Sequence, residues 1–204
     1  RRNWDASKSG PLPDKLISGV TEHVDGLLLD IAKDAGAALI NTDRMWDYTE
    51  GVQNWDPIWP HHGIRILPGP SSMWFDATGD RLPAPCMPGF DTMSTLHEIC
   101  KRGYDHTWFV LTQKIIEKEF ALSGSEQNFD LTEGGWKDVL KARLGKGATP
   151  AGELFKEKGE DFVVANDFNT LVAGMNQLGG NLIDPAKLRA QIEARDAQMD
   201  SPFT

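Results

Sequence analysis

Cysteine is scarce in this sequence of 204 residues, and clusters of basic residues and long apolar runs are missing. Two cysteines, Cys86 and Cys100, are too few for a disulfide framework, so we expect a reducing compartment, the cytoplasm. The formal net charge of -9 argues against nucleic acid as a partner, because a phosphate backbone attracts clustered lysine and arginine. No apolar run approaches the length of a membrane span, so none is predicted.

Several motifs that define common sites are also absent. No GxGxxG follows a predicted strand, so these residues do not cradle a dinucleotide pyrophosphate by themselves. There is neither a GxSxG nucleophile elbow nor an HExxH zinc motif. Cys86, His97 and Cys100 are conceivable zinc ligands, since His97 and Cys100 share a helix face. Their spacing is looser than that of most zinc sites, and we predict no metal.

Apolar periodicity and turn residues predict an α+β chain, with a small mixed sheet flanked by helices. Helices are expected at 22–36, 92–102, 114–120 and 136–144, after Thr149 and Pro150, and after the caps Asp167 and Asp184. Strands are expected at 38–48, 64–67, 73–75, 108–111 and 161–165. Residues 1–18, which begin with a polar stretch rich in helix breakers, are expected to form a flexible lead-in.

Tryptophan is concentrated in one zone of the chain. This zone contains Trp46, Tyr48, Trp55, Trp59 and Trp74, interleaved with prolines and with the pair His61 and His62. Indole side chains on loop-like sequence either cover a core or line a cleft for a bulky apolar ligand. As a group beside two histidines they are the best cleft candidate, and we expect them to share one concave face with Phe90.

Residues 63–82 read as two short strands joined by a proline-rich bend and followed by a turn. Gly79 can adopt a positive φ at little cost, so Arg81 and Leu82 can fold back on the strand that ends at Phe75. The order Phe75, Asp76, Gly79, Arg81 and Leu82 resembles the "VNxxGxRF" element of flavoproteins of the fumarate reductase and 3-ketosteroid dehydrogenase superfamily. In that family the element belongs to the capping domain, which closes substrate over the flavin.

Two further segments resemble motifs of the same family, in the same order along the chain. Residues 21–26 and 35–37 resemble its "TGDG" and "AxxAGA" elements, and residues 165–171 and 184–188 resemble the segment that closes the cap. The first resemblance implies that His23, Asp25 and Gly26 contact FAD. The residues alone allow a second interpretation, in which Asp25 is a first-turn carboxylate that complements the helix dipole.

The substrate residues of that family are matched only in part. The family positions for a Thr-Glu pair and two arginines in fumarate reductases fall here at Ile64 and Arg65, at Pro68 and at residues 89–91, so the proton-donating arginine is missing. Ketosteroid dehydrogenases have a tyrosine near Phe90, which keeps the ring without the hydroxyl. The resemblance therefore implies an apolar ketone or steroid-like substrate, and we expect these residues to bind it: Arg65, Trp59, Trp74, Phe90 and Asp91.

The implied chemistry removes hydrogen from a carbon–carbon bond next to a carbonyl. A base takes a proton beside the carbonyl while the flavin takes a hydride from the adjacent carbon. Three side chains, His61, His62 and Tyr104, are of a type that suits the acid or base.

These features predict that residues 19–204 form the capping and substrate domain of a longer FAD-dependent dehydrogenase and lack its Rossmann-type FAD domain. The expected partners are the FAD-binding domain of the same polypeptide and a small-molecule substrate. The chain alone is expected to hold no FAD and to be inactive. The alternative is a non-catalytic acidic binding or interaction domain with an aromatic cleft.

Overall fold

The computed structural model describes residues 4–13, 15–21, 23–42, 47–123, 127–128, 135–137, 140 and 144–202. Within this part the chain runs through the following helices and strands: α1 (Ala6–Ser9), α2 (Leu27–Asp34), β1 (Gly51–Gln53), β2 (Gly63–Leu67), β3 (Met73–Asp76), α3 (Thr92–Lys101), β4 (Thr107–Val110), α4 (Gln113–Lys118), β5 (Ala121–Ser123), α5 (Pro150–Lys158), α6 (Phe168–Leu178) and α7 (Pro185–Met199). The mixture of helices and short strands confirms the α+β class.

The first sheet has three antiparallel strands in the order β1-β2-β5. Val52 pairs with Ile64, and Ile66 pairs with Leu122. The apolar side chains of this sheet pack against the helix α5 in one core, which consists of Val52, Ile64, Ile66, Phe120, Leu122, Ala151 and Phe155. Because Ile64 and Ile66 are inward residues of β2, Arg65 between them points to the other face of the strand.

The second sheet pairs β3 with β4 antiparallel, so that Phe75 lies opposite Trp108 and Trp74 lies opposite Phe109. All four residues of β3 are buried. One face of this sheet packs on α6 and α7 in a second core, formed by Met73, Phe75, Trp108, Val172, Met175, Ile183 and Leu188. On the other face Trp74 and Phe109 stack with ring centroids 4.6 Å apart, and Phe109 reaches the first core.

The predicted turn after β3 is confirmed. Gly79 has a φ of 83°, and Arg81 forms an antiparallel bridge back to Phe75. Asp76 organises the turn by accepting hydrogen bonds from the Thr78 amide at 2.9 Å and the Asp80 amide at 2.9 Å. Its other carboxylate oxygen accepts from Arg102 at 2.5 Å. Burial alone would raise the pKa of Asp76, but these bonds outweigh it and lower the pKa.

The predicted helix starts at Thr149, Asp167 and Asp184 are confirmed, and Asp91 is the cap of the helix predicted at 92–102. Each of these side chains accepts a hydrogen bond from a backbone amide in the first turn of its helix, as N-cap residues do. Pro150 and Pro185 then occupy the first turn, where no amide hydrogen is needed. Helix α2 begins at Leu27 rather than at residue 22, because Gly26 has a φ of 84° that a right-handed helix cannot contain.

Three strand predictions are wrong. The single mixed sheet is replaced by two antiparallel sheets. Residues 38–41 and 162–165 form no strand, although the second segment is apolar. Its Phe162 packs on the first core and its Val163 on the second, so the alternating apolar residues bridge two cores instead of entering a ladder. Strands β1 and β5 were not predicted, since three residues carry too little periodicity.

Other sequence predictions fall partly or wholly outside the described residues. Trp46 and most of the predicted helix at 136–144 belong to this group. Among the described residues, every helix is too short or too polar to cross a membrane. Cys86 and Cys100 are both free thiols.

Candidate functional site

Arg65 lies at the centre of a polar cluster on the outer face of β2. Its guanidinium carbon lies 4.2 Å from the centroid of the Tyr48 ring, a cation-π distance. Its Nε lies 3.5 Å from Oε2 of Glu50, and the Arg65 side chain remains 20% exposed. The cluster therefore presents one cationic group to the surface, with a carboxylate beneath it.

Glu50 connects Arg65 to the loop that precedes α3. Its side chain is 1% exposed, and its Oε1 accepts a hydrogen bond from the Gly89 amide at 2.7 Å. Its carbonyl oxygen accepts from the Ile66 amide at 2.9 Å, which ties the residue to β2. Gly89 itself has a φ of 70°, and a Cβ there would lie 3.8 Å from Nη2 of Arg65. Arg65, Glu50 and Gly89 thus form one contiguous group.

The loop carries Phe90 and Met87 as exposed apolar side chains, with 72% and 54% of their surface accessible. Phe90 follows Gly89 directly and therefore lies in the loop that adjoins Arg65. The substrate-binding role of both residues stays a prediction. Asp91 instead caps α3, where its carboxylate accepts from the Ser94 amide at 3.0 Å. That hydrogen bond lowers the pKa of Asp91, and the residue is best described as a cap beside the site.

Asp47 is a second carboxylate close to this cluster that the sequence analysis missed. Both of its carboxylate oxygens are buried, and neither has a hydrogen-bond partner in the described part of the chain. Burial is the main reason why its pKa is raised to about 6; His97 lowers it and Glu50 raises it further. The available signal was two acidic residues, at 47 and 50, immediately before a strand that pairs with β2.

The two neighbouring histidines have different environments. His62 is 3% exposed, and its Nδ1 accepts a hydrogen bond from the Ile58 amide at 3.2 Å. The same nitrogen lies 3.0 Å from Nδ2 of Asn54, and the ring stacks on Trp59 with centroids 3.6 Å apart. These contacts hold the loop before β2 and argue against an acid or base role for His62. His61 is exposed, with a φ of 58°, and its carbonyl accepts from the Ser18 amide.

The three described tryptophans of the predicted cleft, Trp55, Trp59 and Trp74, have different surroundings. Trp74 is 4% exposed and donates from Nε1 to Oγ1 of Thr107 at 2.9 Å, so it belongs to the interior. Trp55 packs on the first core with Lys158 above its ring. Trp59 donates to the Ser18 carbonyl at 3.0 Å, beside His62. This geometry argues against the predicted aromatic cleft and against substrate contact by Trp74, while Trp59 stays a candidate at the edge.

Tyr104 lies in the turn between α3 and β4, directly after Gly103, and the residue is 37% exposed. The geometry does not bring it into the Arg65 cluster through any contact found in the described residues. Its predicted acid or base role stays a prediction.

The exposed turn before α2 contains the residues predicted to contact FAD. Asp25 accepts a hydrogen bond from the Leu27 amide at 2.9 Å, which is a capping contact. His23 pairs with the Thr21 hydroxyl at 3.1 Å. Gly26 is left-handed, and the helix that follows exposes Leu27, Leu28, Leu29 and Ile31. An open polar turn with a glycine, beside a bare apolar helix, fits the edge of a large cofactor with polar and apolar parts.

Cys86, His97 and Cys100 do not form a metal site. In the part of the chain that the structure covers, no three side chains of His, Cys, Asp and Glu are placed to hold a metal ion. Burial, with a smaller contribution from Asp47, raises the pKa of the Cys100 thiol. His97 lines a shallow groove between α1 and α3 together with Ser94, Glu98 and Lys101.

Comparison with known proteins defines the class. The family model described as "FAD binding domain" matches residues 3–203, so the chain belongs to that family. A KsdD-like steroid dehydrogenase of Mycolicibacterium smegmatis is 55% identical over 205 aligned positions, which cover 100% of this chain and 37% of the relative. KsdD-like steroid dehydrogenases of Mycobacterium tuberculosis strains CDC 1551 and H37Rv are each 52% identical, with 36% of their length covered. No solved structure matches the chain significantly.

The family match confirms the predicted superfamily and FAD as its cofactor. Its description conflicts with the expectation that the chain lacks the FAD-binding part, since the match extends over nearly all residues. The sequence nevertheless contains no GxGxxG. The chain spans little more than a third of the length of the curated relatives that it matches.

Proposed function

We propose that this chain supplies the substrate-facing, capping part of an FAD-dependent dehydrogenase that oxidises a carbon–carbon bond of a bulky apolar ketone. The observation that carries the proposal is the pairing of one neutralised cation, Arg65 above Glu50, with the exposed ring of Phe90 on the adjoining loop. The 55% identity to a KsdD-like steroid dehydrogenase supports a steroid-like ring system as the substrate class.

The charge of the site favours a ketone over a dicarboxylate. A dicarboxylate needs at least two cationic groups, and the positions that resemble the family arginines hold Pro68 and Phe90. Pro68 is fully buried, so it contributes no surface to a ligand. A ketone needs apolar walls and one polar anchor. Phe90 and Met87 supply the wall, and the Arg65 guanidinium donates to the carbonyl oxygen.

In the proposed reaction the substrate loses a proton from the carbon beside its carbonyl and a hydride from the next carbon, and a double bond forms between the two. FAD, when bound, would supply the acceptor for the hydride. Arg65 holds the neutral carbonyl oxygen by a hydrogen bond and so orients the carbon beside it for loss of its proton. His61 and Tyr104, both exposed, remain the candidates for the residue that takes the proton.

The FAD-binding part of the same polypeptide is the proposed partner of α2. Leu27, Leu28 and Ile31 expose 53%, 76% and 63% of their surface, although they occupy an amphipathic helix. An uncovered apolar helix face of this kind is expected to pack against further protein. The turn with His23, Asp25 and Gly26 would then lie at the boundary where FAD is held.

The test compares variants of the full-length flavoprotein. Arg65→Gln and Phe90→Ala are each expected to raise KM for a bulky cyclic ketone about ten-fold or more, since each removes a direct contact of about 1.4 kcal/mol or more. Trp74→Phe is the matched aromatic control, because it keeps the buried ring stack and is expected to change KM little. Unchanged KM in both site variants would contradict the proposal.

A further inference from the structure

We propose that Glu50 is a specificity-determining positioning residue, which neutralises Arg65 and fixes the Gly89 loop so that the site accepts a neutral carbonyl and rejects a carboxylate. The inference rests on the proposed function, because it takes Arg65 and Phe90 as substrate-binding residues.

The Glu50 carboxylate lies beneath the Arg65 side chain. Oε2 of Glu50 lies 3.5 Å from Nε of Arg65, and within the described residues neither atom has a hydrogen-bond partner. The contact is therefore one of charge with charge. Because the Glu50 side chain is 1% exposed, solvent screens this attraction much less than it would at the surface.

Further contacts hold both Glu50 and Arg65 in this position. Oε1 of Glu50 is held by the Gly89 amide at 2.7 Å, and its backbone by the Ile66 amide. The Arg65 guanidinium is held over the Tyr48 ring at 4.2 Å. The cation and the anion consequently stay together when a ligand arrives, and the loop that carries Phe90 is fixed by the same carboxylate.

The Glu50–Arg65 pair affects a neutral carbonyl ligand and a carboxylate ligand differently. A neutral carbonyl oxygen accepts a hydrogen bond from Arg65 without adding charge. A carboxylate would add a negative charge beside Glu50, with Asp47 also close by, and the cation that should compensate it is already paired. Two further titratable groups interact with Asp47: His97, which lowers its pKa, and the Cys100 thiol. The cluster therefore discriminates against anions. Its specificity has a repulsive part, the Glu50 charge against a carboxylate, and an attractive part, the Arg65 hydrogen bond to a carbonyl oxygen.

The experiment measures binding to the full-length flavoprotein for two probes, a four-ring neutral ketone and the same ring system with a carboxylate in place of the ketone. Dissociation constants come from the change in flavin absorbance, without turnover. In Glu50→Gln, the ratio of carboxylate to ketone affinity is expected to rise about ten-fold to a hundred-fold, because the amide keeps the Gly89 contact and removes the charge. In Glu50→Gln with Arg65→Gln, this gain is expected to vanish.

Asp161→Asn is the matched control. The Asp161 carboxylate accepts from the Gln53 amide at 2.6 Å and so holds the opposite end of the same strand, without contact to Arg65. It is expected to leave the ratio unchanged. An equal shift in Asp161→Asn, no shift in Glu50→Gln, or a gain that persists in the double variant would each overturn the proposal.

A variant that fails to fold does not end the test. If Glu50→Gln loses FAD, Arg65→Gln is used alone, in which the uncompensated Glu50 is expected to weaken carboxylate binding more than ten-fold relative to ketone binding. No such weakening would overturn the role of Glu50. If no neutral ketone reduces the flavin of the unmodified enzyme, the proposed function fails instead, and the binding ratio still decides on Glu50.

Discussion

Gln191 on the last helix accepts a hydrogen bond from the Arg81 amide at 2.9 Å and donates one to the Gly79 carbonyl at 2.8 Å. One side chain thereby pairs with both sides of the turn that follows β3. Lys187, one helical turn earlier on α7, bonds Asp80 in the same turn at 2.6 Å. The turn is thus stabilised by Gln191 and Lys187 of α7 as well as by its own residue Asp76.

Replacing Gln191 by alanine is expected to destabilise the protein by about 1–2 kcal/mol, since two backbone groups lose their partner. The measurement is the thermal midpoint of the full-length enzyme, which should fall in this variant. Gln177→Ala removes an exposed glutamine from the neighbouring helix α6 and is the control. Equal midpoints for both variants would show that the turn does not depend on α7.

Gly79 is expected to tolerate no side chain. An alanine there would be strained by the φ of 83°, and its Cβ would lie 3.1 Å from Cγ2 of Ile183 in the second core. Gly180 has a φ of 81° with open space around it, so Gly180→Ala carries the strain alone. We expect Gly79→Ala to lower the thermal midpoint more than Gly180→Ala does. If Gly180→Ala lowered the thermal midpoint more than Gly79→Ala, the close contact with Ile183 would not destabilise the protein.

Asp47 predicts an unusual pH dependence of stability. The pKa of Asp47 is about 6 in the folded protein, against the ordinary value of 3.8 that applies to the unfolded chain. The folded state therefore binds the proton more tightly, and the free energy of unfolding falls as pH rises from about 4 to about 6. Asp47→Asn imitates the protonated form. After allowance for solvent screening, it should stabilise the protein by about 1–2 kcal/mol at about pH 8 and hardly at all at about pH 3.5.

Asp167→Asn is the control of opposite sign. The Thr170 amide and hydroxyl lower the pKa of Asp167, so its contribution is present above the ordinary pKa and is lost as pH falls. Asp167→Asn should therefore be the more damaging at high pH. A stability loss at high pH for Asp47→Asn would contradict the raised pKa that we assign to Asp47.

The chain alone is expected to hold no FAD, although its family is described by FAD binding. The reason is the missing GxGxxG, without which the pyrophosphate has no cradle within these residues. The purified 204-residue chain should be colourless after incubation with FAD and gel filtration. Stoichiometric flavin absorbance in the eluted chain would contradict this prediction and place the whole cofactor site in these residues.

The sequence predicted elements that depend on local chemistry. Helix starts at Asp167 and Asp184 and the turn at Gly79 follow from capping and from φ preference, which neighbouring residues determine. The predictions were wrong where tertiary contacts determine the structure. Phe162 and Val163 bridge two cores instead of forming a strand, and β1 forms because β2 pairs with it.

The same limit applies to the site. Arg65 and Phe90 were predicted from resemblance, whereas Glu50 acts through the Gly89 amide, 39 residues away. No local sequence pattern predicts a contact between residues so far apart in the chain. The burial of His62 and Trp74 was not predicted either, because it depends on segments that are distant in the sequence. Their roles in the site stay predictions.

The most direct measurement is anaerobic titration of the full-length flavoprotein with a saturated bulky cyclic ketone, followed by its flavin absorbance. We expect the ketone to bleach the oxidised flavin and the unsaturated ketone to appear in equal amount. We also expect fumarate to reoxidise the reduced enzyme very slowly, because a single neutralised Arg65 cannot hold two carboxylates. An oxidised flavin that no ketone bleaches, together with rapid reoxidation of the reduced enzyme by fumarate, would contradict the account.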